Sequence, residues 1–294
     1  MPIITIGTIY LRKSGDNMKL KTGLAVGGFG LNFDDSLRLI SKAGFDSFFS
    51  GTASLDELKR RRALADQLGL VYSSLHAPFT KAADMWSKGR AGDIAEQEIH
   101  DCIDLCYGIE VPILVVHPFI GFDKHSPTDE GLERFKSLAE YASVKNVKLA
   151  IENVEGEEYF DCLMKGLTDF ESVGFCLDTG HQMCYNRGRD FLSEMGDRLI
   201  YTHINDNMGI TYQDGRIFWH DDAHLLPFDG VQNWDKLASQ IKKTGYDGFL
   251  TLELSKVSKP NRTCNDIYNS LTAEEYVFEA ASRIRRFADM VEKA

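Results

Sequence analysis

Six short apolar stretches of this chain each end on a residue able to ligate a metal ion: His76 in SSLHAP, His117 in LVVHP, Glu152 in LAIENVE, Asp178 in FCLDTGH, His203 in YTHIND and Glu253 in LTLEL. Imidazole nitrogen mixed with carboxylate oxygen suits zinc, manganese or a similar divalent ion. A lone histidine at a strand end is ordinarily a hydrogen-bonded structural residue. Six ligand types in succession, one per stretch, form a pattern that such a reading does not explain. Three more residues extend it: His181, just after Asp178 in DTGH, and the D-x-H pair Asp222 and His224 in HDDAHLLPFDG.

Residues spread over about 180 positions meet in one pocket if the stretches are parallel strands of a closed barrel, because all strand C-termini then open onto a single mouth. The spacing predicts strands over Leu20 to Val26, Asp46 to Ser50, Val71 to His76, Ile113 to Val116, Lys148 to Glu152, Gly174 to Asp178, Leu199 to Asn205 and Gly248 to Leu254. Helical patterns separate them. These are Phe33 to Ala43 behind Asn32, a helix opened by Ser54 with Glu57, Gly92 to Tyr107, Asp129 to Ala142, Tyr159 to Phe170, Phe191 to Met195, Val231 to Lys243, and a last helix opened by Thr272 with Glu275. Strict βα alternation over 294 residues matches an α/β chain with a single (β/α)8 TIM barrel, which needs roughly 250 residues. No GxGxxG follows the first strand, which argues against an open dinucleotide-binding sheet. The barrel is expected over residues 18–294. Residues 1–17 are an N-terminal extension with alternating apolar character, either an added strand or arm or a matter of where translation starts.

Side chains alternate along a strand, so Ile113, Val115 and His117 share one face, as do Gly174, Cys176 and Asp178, and Phe249, Thr251 and Glu253. In each case the ligand type forms the top layer above small or apolar residues. Cys176 is thereby read as core rather than catalyst. The six cysteines show no CxxC pair, and Cys102 with Cys106 on one helix face reads as packing. With no membrane-length apolar run and no secretory signal pattern, a reduced, cytoplasmic setting is expected. A net charge of -11 argues against nucleic acid or an anionic membrane as partner, since phosphate neutralisation needs clustered Lys and Arg. Composition leaves the oligomeric state open.

The ordered set HAP, VVHP, IEN, LDTGH, HINDN, DAH with the following Gly230, and LELS resembles the xylose-isomerase-like TIM-barrel superfamily. That group joins sugar-phosphate isomerases and epimerases to the apurinic-site endonucleases of family 2. The resemblance covers nearly the whole chain after Met18. In the isomerase branch it implies a single divalent ion (Mn, Zn, Mg or Co) held by Glu152, Asp178, His203 and Glu253. Glu152 and Glu253 would work as acid and base through an enediolate, with His181 orienting a substrate oxygen. In the endonuclease branch it implies up to three ions, with His76, His117, His181, Asp222 and His224 as additional ligands. The ligand inventory fits both.

Charge favours the first branch. Glu152, Asp178, Asp222 and Glu253 bring four negative charges, so one divalent ion leaves the mouth at about -2 and three leave it at about +2. The loop from Asp206 to Gly230 carries Arg216 alone against five aspartates, not the basic groove a polyanion requires. The expected function is therefore metal-dependent isomerisation or epimerisation of a small sugar, sugar phosphate or related polyol derivative. Hydrolysis of a phosphodiester by a multi-metal cluster is the alternative. Phe79 and Phe119 beside the ligands suit a carbohydrate-sized substrate, with Phe122, Tyr185, Trp86 and Trp219 in loop reach. Lys256, Lys259 and Arg262 in SKVSKPNR are positioned in sequence to clamp an anionic group.

Overall fold

The computed structural model describes residues 20–123 and 126–294; the expected extension over residues 1–17 lies outside the described residues. Its strands are β1 (Thr22–Ala25), β2 (Ser47–Gly51), β3 (Val71–His76), β4 (Ile113–Val116), β5 (Lys148–Glu152), β6 (Val173–Asp178), β7 (Leu199–His203) and β8 (Leu250–Leu252). The helices are α1 (Phe33–Lys42), α2 (Leu55–Leu68), α3 (Arg90–Gly108), α4 (Asp129–Val144), α5 (Glu157–Gly166), α6 (Thr179–Cys184), α7 (Phe191–Met195), α8 (Trp234–Thr244) and α9 (Ala273–Lys293). All sequential strand pairs from β1 to β7 are parallel, and β8 pairs with β1. The remaining seam, β7 to β8, is closed by Ile204 N donating to Thr251 O at 2.7 Å and Glu253 N donating to Ile204 O at 3.2 Å. Thr202 completes the seam with its side chain, donating to Phe249 O (3.0 Å) and accepting from Thr251 N (3.1 Å). The result is the TIM barrel that the βα alternation predicted.

Strand pleating sorts neighbouring residues into two cores. Phe49, Val115, Ala150, Cys176 and Tyr201 pack inside the barrel. Phe48, Leu114, Ile151, Phe175 and Leu252 face outward into the helix layer. Cys176 thus fills the interior, as the alternation required, and burial pushes its thiol up to about 12. The interior is not wholly apolar: the hydroxyls of Tyr201 and Ser73 pair at 2.7 Å and so satisfy one another.

Helix caps fall where the sequence signals them at Asn32, Ser54 and Thr272, each accepting a backbone N–H of the first turn, with Glu275 completing the capping box on Thr272; Thr128 caps α4 in the same way. The short α6 is not among the expected helices, and two expected helices shift by three or more residues at one end. The α5 helix starts at Glu157 and stops at Gly166, because Thr168 Oγ1 donates back to Met164 O (3.1 Å) and Lys165 O (2.9 Å) and so takes up the final carbonyls. The α8 helix begins at Trp234 rather than Val231, because the Asn233 side chain caps Lys236 N at 2.9 Å.

The two-core arrangement has a direct test in Phe48, fully buried on the helix side and tilted against Tyr72 with ring centroids 4.3 Å apart. Phe48→Ala should cost about 3–5 kcal/mol of unfolding free energy in a denaturant titration, because it opens a cavity between sheet and helices. A loss below about 1 kcal/mol would contradict the outward register of β2.

Candidate metal centre

The strand ends bring the candidate ligand residues together at one mouth. Glu152, at the end of β5, is fully buried and central: its Oε1 lies 2.9 Å from His203 Nδ1, its Oε2 3.2 Å from His76 Nε2 and 3.0 Å from His117 Nε2. Glu253 Oε2 approaches the same His203 Nδ1 at 3.0 Å. Ligand atoms of Glu152, Asp178, His203 and Glu253 all lie within 4.8 Å of one another, as do those of His76, Glu152 and His203. A separate outer group, His181, Asp222 and His224, meets the same limit. His181 stands between the two, with Nδ1 at 3.6 Å from Glu152 Oε1 and Nε2 at 3.6 Å from Asp222 Oδ2.

Backbone carbonyls choose the nitrogen that each ring presents. His76 Nδ1 donates to Ala77 O (2.8 Å) and His224 Nδ1 to Glu253 O (3.1 Å), which turns the Nε2 lone pair of each ring into the mouth. The His203 ring is held flat against Phe49, with centroids 4.6 Å apart and planes 14° from parallel.

Behind the ligands lies a shell of buried amides and one carboxylate that sequence reading did not single out. Asn205 Nδ2 donates to both oxygens of Asp178 (3.2 and 3.0 Å), while Asn153 Oδ1 accepts from Asp178 N at 2.7 Å. Asp178 Oδ1 also caps the short α6 by accepting from His181 N at 2.7 Å, which fixes His181 beside it. Asp206, fully buried, accepts from Asn207 N, Phe228 N, Gln232 N and Trp234 Nε1 at 2.8–3.1 Å, pinning both ends of the loop that carries Asp222 and His224. Gly230 follows from this: a Cβ there would fall 2.3 Å from Asp206 Oδ1. Gly180 is needed for a similar reason, since its Cβ would lie 2.0 Å from Asn205 Oδ1. The signal available in sequence was the Asn and Asp of IEN and HINDN, polar residues just past apolar strands.

Three buried carboxylates, Glu152, Asp178 and Asp222, with the partly exposed Glu253 beside them, would repel one another and lose hydration unless compensated. Burial opposes ionisation of Glu152, yet His203 and His117 outweigh it and hold the carboxyl well below the usual range. Asp222 behaves likewise under His224 and His181. Burial also opposes a charge on His224, but Asp222 lifts it to about 9. At His117 burial wins and the pKa falls. Asp178 is pushed up to about 6, chiefly by burial. The imidazoles thus offset the charge of the carboxylates they face. The donor set fits a divalent ion: His181 Nδ1 and Asp222 Oδ1 are buried with no hydrogen-bond partner among the described residues, and the cluster mixes N and O donors.

The residues expected at the substrate fall in different places. Phe79, 42% exposed, stacks on His117 with centroids 4.6 Å apart at the open mouth. Phe119 is buried and stacks on Tyr159 at 4.0 Å, within the wall. Trp86 is also buried, donating Nε1 to Pro118 O. Tyr185 lies against His181 with centroids 4.9 Å apart, and Phe122 and Trp219 are exposed. Arg262 is engaged with Asp221 Oδ1 at 2.9 Å and Thr211 Oγ1 at 3.2 Å, anchoring the loop. Lys259 Nζ comes to 3.5 Å from Asp222 Oδ2, and Lys256 is half-buried with its backbone N–H on Gly28 O.

Among sequence relatives, the uncharacterised protein y4fM of Sinorhizobium fredii is 28% identical over 261 residues, covering 74% of this chain and 79% of that protein. Among solved structures, D-psicose 3-epimerase with D-tagatose from Clostridium cellulolyticum superposes with a TM-score of 0.71 at 15% identity, covering 92% of this chain and 99% of that one. A xylose isomerase-like TIM barrel/4-hydroxyphenylpyruvate dioxygenase fusion protein superposes at 0.63 with 18% identity; the match takes in 83% of this chain and 40% of the fusion's length. At these identities the superpositions establish the fold alone. The family model described as xylose isomerase-like TIM barrel matches residues 37–286, from within α1 to within α9. A match of that extent, on a barrel whose strands carry their ligands in this order, makes the chain a member of the xylose isomerase-like TIM-barrel family.

Proposed function

We propose that the chain is a divalent-metal-dependent isomerase or epimerase of a small sugar, sugar phosphate or related polyol derivative. The observation that carries this reading is the convergence of Glu152 Oε1 and Glu253 Oε2 on one nitrogen of His203, at 2.9 and 3.0 Å, with Asp178 in the same group. A bound divalent ion would supply positive charge that polarises a substrate carbonyl and its neighbouring hydroxyl, acidifying the carbon-bound proton. Glu152, Asp178, His203 and Glu253 would hold it. Two carboxylates reaching one spot from different strands can remove a proton from that carbon and return one through an enediolate. His181, between the inner and outer groups, would orient a substrate oxygen. Phe79 offers its exposed face to the sugar's apolar side, while Phe119 supports the wall behind it.

A second reading rests on a specific observation, the outer group His181, Asp222 and His224 together with His76 and His117 beside Glu152. Those residues could hold further ions, and a two- or three-metal cluster would suit hydrolysis of a phosphodiester or another ester. The first reading is preferred because the loop around Asp222 is acidic: its exposed Arg216 is paired with Asp214 at 2.7 Å and Arg262 with Asp221. An anionic backbone finds no basic surface there.

Glu152→Gln should lower the affinity for a divalent ion by at least about tenfold and abolish turnover of ketose or aldose substrates, since it removes a charged ligand and the proposed base together. Wild-type metal content and turnover in that variant would sink the site assignment. Asp222→Ala and His224→Ala separate the two readings by elemental analysis. On the isomerase reading both keep one equivalent of metal bound at the inner group. On the hydrolase reading the wild type nicks abasic DNA, and each variant loses an equivalent and nicks it slower by about two orders of magnitude or more.

A further inference from the structure

The inner and outer ligand groups differ in the fixed charge beside them. Glu152, Asp178 and Glu253 form ion pairs only with histidines among the described residues. Asp222 has an ammonium as well: Lys259 Nζ lies 3.5 Å from Asp222 Oδ2, the oxygen that faces His224 Nε2 at 2.7 Å and His181 Nε2 at 3.6 Å. Lys259 comes from the loop after β8, beneath the Asp222 loop. Its Nζ also sits 5.8 Å from the centre of the Trp219 ring, a contact that favours a cation at this spot. The other basic residue of the segment, Arg262, is already committed to Asp221 and Thr211. Asp222 Oδ1 is buried without a partner, so the carboxylate keeps one free face toward the mouth.

We propose that Lys259 is a built-in competitor of metal at the outer group: its ammonium occupies the cation's place beside Asp222 and so limits how many ions the mouth retains. The charge count makes the difference between the groups large. Three carboxylates at the inner group attract a divalent ion with nothing basic but imidazole opposing it, whereas the single carboxylate of the outer group is neutralised by Lys259. A divalent ion entering there must push the ammonium aside or accept its repulsion at close range. The Lys259 side chain is 27% exposed and can swing away into water, so the outer position is exchangeable rather than closed. The inference rests on the metal-site reading above and deepens it, since a weak outer ion keeps the centre on the single-ion side of the two chemistries.

The test is titration of the metal-free full-length protein with Mn²⁺, read by equilibrium dialysis and by the loss of free-Mn²⁺ spin resonance. In the wild type one equivalent should bind tightly and any second one weakly. Lys259→Met keeps the aliphatic stem against Trp219 and removes the charge; it should tighten the second equivalent by about tenfold or more and leave the first unchanged. Lys259→Arg, which retains the charge, should behave as wild type and control for loss of fold. Adding His224→Ala to Lys259→Met should remove the gained affinity, locating the second ion at the outer group. Identical stoichiometry and affinities in wild type and Lys259→Met would overturn the competition while leaving the inner site intact. A wild type that binds no Mn²⁺ tightly would instead overturn the metal-site reading, and the competition with it.

Discussion

The constraint on which the rest of the molecule depends is the concentration of carboxylates at the barrel mouth. Glu152 and Asp178 are fully shielded from water, and Asp222 nearly so. Anions in a low-dielectric setting are tolerated only when positive charge or fixed N–H dipoles face them. Each carboxylate here has its own answer. Glu152 is met by four imidazoles, Asp178 by the Asn205 amide and the first turn of α6, and Asp222 by His224, His181 and Lys259. A metal ion satisfies the same demand with a single species, which is why the arrangement makes chemical sense as a cation site.

Holding such a cluster demands rigidity that the strand ends alone do not supply. The loop from Asp206 to Gly230 is long, and a free loop would not keep the ligand-type atoms of Asp222 and His224 within 4.8 Å of that of His181. Asp206 fastens the loop at both ends with four accepted hydrogen bonds. Asn265, fully buried, ties it to the following segment by donating to Ala223 O (2.8 Å) and Ser255 O (2.7 Å). Arg262 adds a third tether through Asp221. Charge-assisted and buried hydrogen bonds are the stronger kinds, and placing them under the loop lets surface residues such as Trp219 stay exposed without loosening the site.

The two chemistries that the ligand inventory allows differ in the electrostatic state of one mouth. An enediolate mechanism needs carboxylates that remain able to exchange protons, so it is served by few ions and residual negative charge. Hydrolysis of a phosphodiester needs excess positive charge and a surface that welcomes a polyanion. The acidic loop and the lysine beside Asp222 both favour the former, the loop also reaching the inner group through His224 Nδ1 on the Glu253 carbonyl.

Much of this was legible in the sequence, because barrel strands impose simple local rules. Period-two alternation placed Val115 and Cys176 inside the barrel, and the β-branched run Ile113 to Val116 gave β4 its observed bounds. Cap residues such as Thr272 marked helix starts because a cap is satisfied within one turn. The ligand order was visible for the same reason: each ligand sits at the end of its own strand, and parallel closure brings all strand ends together. What only the tertiary structure decided involves partners distant in sequence. The α6 helix, six residues long, is too short to show periodicity and depends on Asp178 for its cap. Asn205 reads as the last residue of a strand and Asp206 as an ordinary loop residue until folding sets their side chains against Asp178 and against Phe228, Gln232 and Trp234. Lys259 and Arg262 look alike in the segment SKVSKPNR. They separate only because two loops cross at the mouth and set one beside Asp222 and the other beside Asp221, a consequence of through-space distance that sequence spacing does not encode.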